Sequence, residues 1–428
     1  MKRTTRTEMF LLLVVVLCGM ANKQLYAQDY VLIPMDQSQT NHLKAYGVLF
    51  AHISEGGSGQ WLLNYRGGSF LVENRTGLED KSRVRNVSLE PVTAEQAGEL
   101  LQQLEQSDQN TAAVNLEEVP SIAVYTPPGS LPWDDAVTLV LNYAEVPYDR
   151  IYDRDVLDGA LEQYDWIHLH HEDFTGQFGK FWSTYRNTPW YVEQVNELKA
   201  LAGELGFDKV SHLKRAVAKE IRSYVGRGGF LFAMCSGTNT LDLALASDGL
   251  DIVPEQLDGD PVDPQVNNLL NFTSTLAFEN FHINTDPYTY SHDNVDIEID
   301  TEEIRESLDY FTLFRFSARW DPVPTMLTQN HENSIRGFYG QTTAFRKEQV
   351  KPTVVILGET PGQNQVKYLS GNYGEGTFTF YGGHDPEDYM HRVNDPPTDL
   401  DLHPNSPGYR LILNNILFPA AEEQKLET

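Results

Sequence analysis

The sequence predicts an α/β protein: a doubly wound, mostly parallel sheet preceded by a small β-rich region. Three observations predict it. From residue 120 onward, short apolar runs alternate with stretches of helical periodicity, the pattern of strands joined by crossover helices. One run, Phe230-Leu231-Phe232-Ala233-Met234, ends in Cys235-Ser236-Gly237 and passes directly into Leu241-Asp242-Leu243-Ala244-Leu245-Ala246, which reads as strand, tight turn and helix. Before residue 120, the glycine pairs Gly56-Gly57 and Gly67-Gly68 punctuate short apolar runs as hairpin turns do.

In chain order, 30–34, 45–53, 60–65 and 69–72 are expected strands, 93–106 a helix, and the polar, acidic stretch 107–119 a linker. Strands are expected at 121–125, 149–152 and 166–169. Asp134 or Asp135 is placed to cap a helix running through Asn142, and 156–163 and 189–225 are helical. Residues 250–350 are irregular and rich in Asp, Asn, Tyr and Phe, which reads as an insertion or cap. Strands at 352–357 and 377–381 and a closing helix at 409–417 complete the expected domain, 120–420. The region before it spans 28–119.

Lys2, Arg3 and Arg6 precede an apolar stretch from Met9 to Ala21 that is too short to span a membrane comfortably, so 1–27 reads as a secretory signal cleaved after Ala27. The protein is therefore expected to be exported, periplasmic or secreted. A lipoprotein anchored through Cys18 is disfavoured, because Leu17 stands where a small residue is expected. The net charge of −29 becomes about −32 once the signal's net +3 is removed, a surface that repels nucleic acid and anionic lipid. Aromatic residues at 11% and hydrophobic ones at 40% mark a folded chain and not a disordered acidic one. Of the two cysteines only Cys235 lies beyond the signal, so no disulfide can form within the mature chain.

A cysteine at the N-terminus of a helix is expected to have its pKa lowered by the helix dipole. As a nucleophile it needs a base, and the base an orienting group. His384 follows the 377–381 strand and Gly382-Gly383, and Glu387 and Asp385 are the nearest acids. Cys235, His384, Glu387 and Asp385 are thus the candidate catalytic set, with Ser236, Gly237, His170 and His171 the candidate oxyanion or ligand loop. A second constellation is His168-Leu169-His170-His171-Glu172-Asp173. His168 and His170, two apart on a strand, share a face, and with Asp173 they form a candidate divalent-metal set that His384, Asp385 and His391 could complete. The aromatic group Phe181, Trp182, Tyr185, Trp190 and Tyr191 reads as helix packing in preference to a sugar platform. Arg66 is a candidate clamp for a carboxylate.

The run Ala233-Met234-Cys235-Ser236-Gly237-Thr238-Asn239, with His384-Asp385-Pro386-Glu387, resembles the nucleophile elbow and the His-Pro-Glu of the class I glutamine amidotransferase-like superfamily over roughly 120–420. The stretch from Gly374-Glu375-Gly376-Thr377 to Gly383-His384 is similar to the last strand of ThuA-like domains. The resemblance implies a C–N hydrolase with Cys235 as nucleophile and His384 as base. Four positions depart from the pattern: Ala233 replaces a glycine, Asn239 a glutamine, Asp385 intervenes before Pro386, and the His168–Asp173 run stands in place of a Gly-rich oxyanion loop. Leu32-Ile33-Pro34-Met35-Asp36 and Leu62-Leu63-Asn64-Tyr65-Arg66-Gly67-Gly68 resemble exported proteins often labelled asparagine synthetase B. The chain carries neither the N-terminal cysteine nor the ATP-binding loop that such a synthesis needs, so that activity is not expected.

Three functions follow: a cysteine-dependent amidohydrolase-like enzyme acting on an amide or acyl substrate, a non-catalytic ligand-binding or assembly module on the same fold, and a metal-dependent hydrolase built on the 168–173 cluster. A small molecule or glycan is the expected ligand.

Overall fold

The computed structural model describes residues 29–106, 109–128, 135–297, 306–390 and 395–421. The expected signal peptide, Cys18, the cleavage point, Asp134 and His391 lie outside the described residues. Among the described residues, no helix is long and apolar enough to cross a membrane.

The N-terminal region forms a five-stranded antiparallel sheet from β1 (Tyr30–Ile33), β2 (Gly59–Leu63), β3 (Ser69–Glu73), β4 (Glu90–Val92) and β5 (Ala112–Leu116), in the order β4-β1-β3-β2-β5. The expected strand at 45–53 is instead part of helix α1, His42–Ser54, whose side chains are buried almost all round. A helix buried on every side shows an unbroken apolar run, and periodicity cannot separate that from a buried strand. Asn41 caps it by accepting from Lys44 N at 2.9 Å. The expected linker holds β5, which closes one edge of this sheet. Helix α2, Ala94–Leu104, starts with a reciprocal cap between Thr93 and Gln96. Its Ala97 and Leu104 cover one face of the sheet, against Leu32, Leu62 and Leu71.

The opposite face shares one core with the rest of the molecule. Val31, Ile33, Trp61 and Phe70 pack with α1, with α3 (Ala136–Ala144) and with the C-terminal helix, Pro407–Leu417. Fully buried Arg410 on that last helix donates to the carbonyls of Met35, at 2.8 Å, and Gly67. At Gly47 a Cβ would lie 1.7 Å from Ala144 O, so only glycine lets α1 and α3 cross this closely. Gly47→Ala is expected to cost about 3 kcal/mol, read from the denaturant midpoint, because a backbone carbonyl and not a side chain must yield.

Arg66, read above as a carboxylate clamp, grips two carboxylates of its own chain. Its Nε donates to Asp36 at 2.6 Å, and its Nη1 and Nη2 to Glu90 at 2.7 and 2.8 Å. Asp36 sits at about 2: desolvation works to raise it, but the hydrogen bonds from Arg66 and Ser38 prevail. A carboxyl whose folded value lies below its unfolded one, about 3.9, contributes stability above the unfolded value. That contribution is lost as pH falls through about 2. Unfolding measured between pH 5 and 2 is expected to show a steeper acid loss in the natural protein than in Asp36→Asn.

The second sheet has ten strands: β6 (Ile122–Tyr125), β7 (Asp149–Ile151), β8 (Trp166–Leu169), β9 (Phe230–Met234), β10 (Tyr310–Leu313), β11 (Ser334–Arg336), β12 (Phe345–Arg346), β13 (Val355–Glu359), β14 (Gln365–Tyr373) and β15 (Gly376–Tyr381). The order is β11-β10-β13-β14-β15-β9-β8-β6-β7, with β12 on β14. Strands β7, β6, β8, β9 and β15 run parallel, and the rest pair antiparallel. The sheet is therefore mixed, and not mostly parallel as expected. The reason is local: β14 and β15 are joined by Gly374-Glu375 alone, too short for a crossover helix. Residues 250–350, expected to be an insertion, contribute β10, β11 and β12 to the sheet.

Alternation along the parallel strands splits them between two cores. Ile122, Val124, Trp166, Phe232 and Met234 face α1, α3 and the C-terminal helix. Ala123, Tyr125, Ile167, Leu169, Leu231 and Ala233 face the helix pair Val210–Gly226 and Ser236–Ala246. Both faces are covered, so the open ground for chemistry is the carboxyl rim.

Candidate functional site

Strand β9 passes into the helix Ser236–Ala246 without a spacer, and Cys235 makes the turn at φ +47° and ψ −138°. Positive φ is costly for a side chain with a Cβ, about 1–3 kcal/mol, and such residues persist where surrounding structure imposes them. Sharp strand-to-helix turns of this kind raise a nucleophile above a sheet. Gly237 allows the turn: a Cβ there would stand 2.5 Å from His170 O, the carbonyl to which its own N–H donates at 2.5 Å. That N–H is thereby committed to the protein and does not face a substrate.

Cys235 is only 3% exposed. Burial pushes its thiol above the ordinary value, against the backbone N–H groups of Thr342, Gln341 and Ser236 turned toward it. The direction is opposite to the thiolate expected from a helix N-terminus, and burial is its largest cause.

The cover over Cys235 is the loop 338–343, pinned from three sides. Lys367 on β14 donates to Phe338 O and Thr343 O at 2.5 and 2.7 Å. Asn239 accepts from Thr342 Oγ1 at 2.9 Å and donates to Asp293 at 2.6 Å. Asp296 accepts from Thr343 N at 3.0 Å. Gly383 N and His384 N then bond to Thr342 O and Tyr339 O at 2.7 and 2.8 Å. Burial pushes Lys367 down to about 7.

His384 Nδ1 lies 3.0 Å from His170 Nε2. His384 follows β15 and His170 follows β8, the two strands that flank β9 in the sheet, so this pair joins the ends of the two neighbours of the strand that leads into Cys235. His170 Nδ1 in turn faces Asp135 Oδ1 at 3.3 Å, and His168 Nε2 faces the same oxygen at 3.6 Å. Asp135 also caps α3, accepting from Val137 N and Thr138 N at 2.7 and 3.0 Å. His168 Nδ1 is 3.0 Å from Phe232 O. Burial holds the His168 imidazole below its ordinary pKa. His171 lies beside both rings, 5.3 Å from His170 and 6.1 Å from His384 by centroid.

The other expected site residues are used elsewhere. Glu387 meets His403 Nδ1 at 3.1 Å. Asp385 closes its own turn, accepting from Glu387 N at 2.9 Å and Thr398 Oγ1 at 2.8 Å. Asp173 shapes the next loop through Thr175 N at 2.7 Å and Gly179 N at 2.8 Å, and faces His292 at 3.5 Å. The acid beside His168 and His170 is therefore Asp135. Asp135 with His168 and His170, or His170 with His171 and His384, brings three donors close enough to hold a metal ion. Expected only as a helix cap, Asp135 is the site residue the sequence reading missed; Asn239, Gln341, Thr342 and Lys367 join it.

Beyond His171 lies a second buried polar group. Lys214 Nζ contacts Tyr125 Oη, Tyr152 Oη and Asp153 at 2.9, 3.0 and 3.1 Å, and Glu172 at 4.0 Å. Burial pushes Glu172 up to about 7, with Lys214 opposing. A cavity of about 30 Å³, room for one water, is lined by His171, Glu172, Asp173 and Lys214. It shares Gln194 and Leu198 with a surface groove of about 790 Å³ bordered by Pro127, Tyr152, Trp190 and Glu197. Of the five aromatics, Phe181, Tyr185, Trp190 and Tyr191 interlock edge to face or tilted, while Trp182 meets Tyr288 edge to face.

No family model matches the chain, and no curated protein matches it. Among solved structures, the cytoplasmic protein STM3548 from Salmonella typhimurium is similar at 10% identity over 71% of this chain and 100% of its own, with a TM-score of 0.34. The cytoplasmic protein STM1381 from Salmonella typhimurium LT2 is similar at 12% identity over 71% of this chain and 100% of its own, TM-score 0.33. Gan42B, a GH42 beta-galactosidase from G. stearothermophilus, is similar at 10% identity over 63% of this chain and 28% of its own, TM-score 0.27. Likenesses this distant carry no argument about the present chain.

Proposed function

We propose that this protein is an exported cysteine-dependent hydrolase of amide or acyl substrates, built on a doubly wound, glutamine amidotransferase-like core. The observation that carries the reading is the strained turn at Cys235, at the end of the strand whose two neighbours lead to the paired His170 and His384. Cys235 Sγ attacks the acyl carbon while His384 takes the thiol proton. The resulting oxyanion is received by backbone N–H groups of Ser236, Gln341 and Thr342. Collapse to a thioester expels the amine, which leaves with the proton from His384. Water, deprotonated by His384, then releases the acid and restores the thiol. Asp135 and His170 hold the His384 ring, the orienting task that Glu387 and Asp385 were expected to perform. Because Cys235 is buried, the 338–343 loop must open for substrate to enter and close again before Gln341 and Thr342 can receive the oxyanion.

The test is turnover on a panel of small amides, esters and thioesters. Cys235→Ala and Cys235→Ser are expected to lose activity by at least about a hundredfold, and unchanged turnover in either contradicts the reading. Burial of Cys235 also favours a second reading, a non-catalytic binding module. That reading expects a tolerated Cys235→Ala and a ligand whose affinity the substitution leaves unchanged.

A further inference from the structure

We propose that Asp135, His168 and His170 form a binding site for one zinc-class divalent cation, with a fourth position left for water. The inference goes beyond the hydrolase reading and does not depend on it. Donors held about 2.0–2.1 Å from a tetrahedral ion lie roughly 3.3–3.4 Å from one another. Asp135 Oδ1 stands 3.3 Å from His170 Nδ1 and 3.6 Å from His168 Nε2, near two of the three separations of such a set, and all three atoms lie within 4.8 Å of one another. Both nitrogens are buried, on side chains only 0% and 2% exposed, and among the described residues the one group facing each is the Asp135 carboxylate, too long or too poorly aimed for a good hydrogen bond. Leaving two such atoms unpaired costs about 1–3 kcal/mol each.

The outer nitrogens are already fixed in the way metal-bound histidines are fixed. A carbonyl oxygen can only accept, so His168 Nδ1 carries the proton toward Phe232 O. The neutral ring then turns the lone pair of Nε2 toward the carboxylate of Asp135. His170 is held at Nε2 by His384. A simple Asp135–His170 dyad would account for one of the two orphan nitrogens and leave His168 facing a carboxylate lone pair. A cation answers both nitrogens together and meets the charge of Asp135, whose Oδ1 also accepts from Val137 N and Thr138 N. Two imidazoles and one carboxylate suit zinc or cobalt better than calcium or magnesium. A cation on His170 Nδ1 would also make His170 Nε2 the hydrogen-bond donor to His384 Nδ1, so His384 would carry its proton at Nε2 and could not act as the base proposed above while the site is loaded.

The test uses the mature chain purified without a polyhistidine tag, stripped with chelator, then titrated with Zn²⁺ by calorimetry and with Co²⁺ by visible absorption. One equivalent of each is expected to bind, with the intense visible bands of four-coordinate cobalt and no thiolate-to-cobalt charge transfer. Cys235→Ala is expected to bind the ion unchanged. Asp135→Asn keeps a side chain able to cap α3, so it tests the charge without removing the cap, and its affinity is expected to fall by about a hundredfold or more. His168→Gln is expected to behave alike. Absence of stoichiometric binding, as when a buried water satisfies the same atoms, overturns the proposal. So does full affinity in both variants, or binding that Asp135→Asn keeps and His384→Ala loses. Failure of Cys235 chemistry would leave the metal result untouched.

Discussion

Cys235→Gly is expected to be more stable than Cys235→Ala by about 1–2 kcal/mol, while both lack the hydrolase activity proposed above. At φ +47° an alanine keeps the backbone penalty of the natural residue, whereas glycine does not feel it. Relief of about 1–3 kcal/mol is offset by about 0.4–1 kcal/mol from glycine's freer unfolded chain. The comparison separates function from packing, because alanine and glycine both delete the thiol. A residue selected only to fill space has no reason to occupy the conformation that glycine serves better. Denaturant unfolding of the two variants reads the difference, and equal or reversed midpoints would show that the turn stores no strain.

Lys214→Met is expected to destabilise the fold by about 3–5 kcal/mol, the usual cost of deleting one partner of a buried ion pair. Lys214 and Asp153 are 2% and 0% exposed, and the ammonium also meets Tyr125 Oη and Tyr152 Oη. Without it, Asp153 and Glu172 share a water-poor space with no cation between them. Asp153→Asn in the same chain is expected to recover part of the loss, since the two residues touch and their effects should not add. Unfolding measurements on the two single variants and the double variant test this. An additive cycle would contradict the pairing.

Much of the carboxyl rim was legible in the sequence. The apolar run into Cys235-Ser236-Gly237 marks a strand, a turn and a helix, and the chain folds so. Spacing of two puts His168 and His170 on one face, and both turn to Asp135. What local pattern does not carry is which distant group comes to meet them. Asp135 lies more than thirty residues earlier, and its capping role hides its second one. Asp173, nearer in sequence, has left the strand and is taken by Thr175 and Gly179. Glu387 and Asp385 follow His384 closely, but a turn carries their carboxylates toward His403 and Thr398. The N-terminal helix α1 was missed because burial on all sides erases amphipathic period. Strand β14 was missed for a related reason: Lys367, Ser370 and Gly371 interrupt its apolar run, yet all lie buried because both faces of the sheet are covered.

The most direct test is alkylation of Cys235 by iodoacetamide in the folded protein, followed by mass spectrometry across pH, beside His384→Ala. Burial should make the reaction slow. It should still proceed at neutral pH in the natural protein and fall by at least about tenfold in His384→Ala, where only a rise at pH above the ordinary thiol range should remain, because burial raises the unassisted thiol. Equal rates in the two proteins, or no modification before unfolding, would mean that Cys235 is a buried structural residue and not a nucleophile.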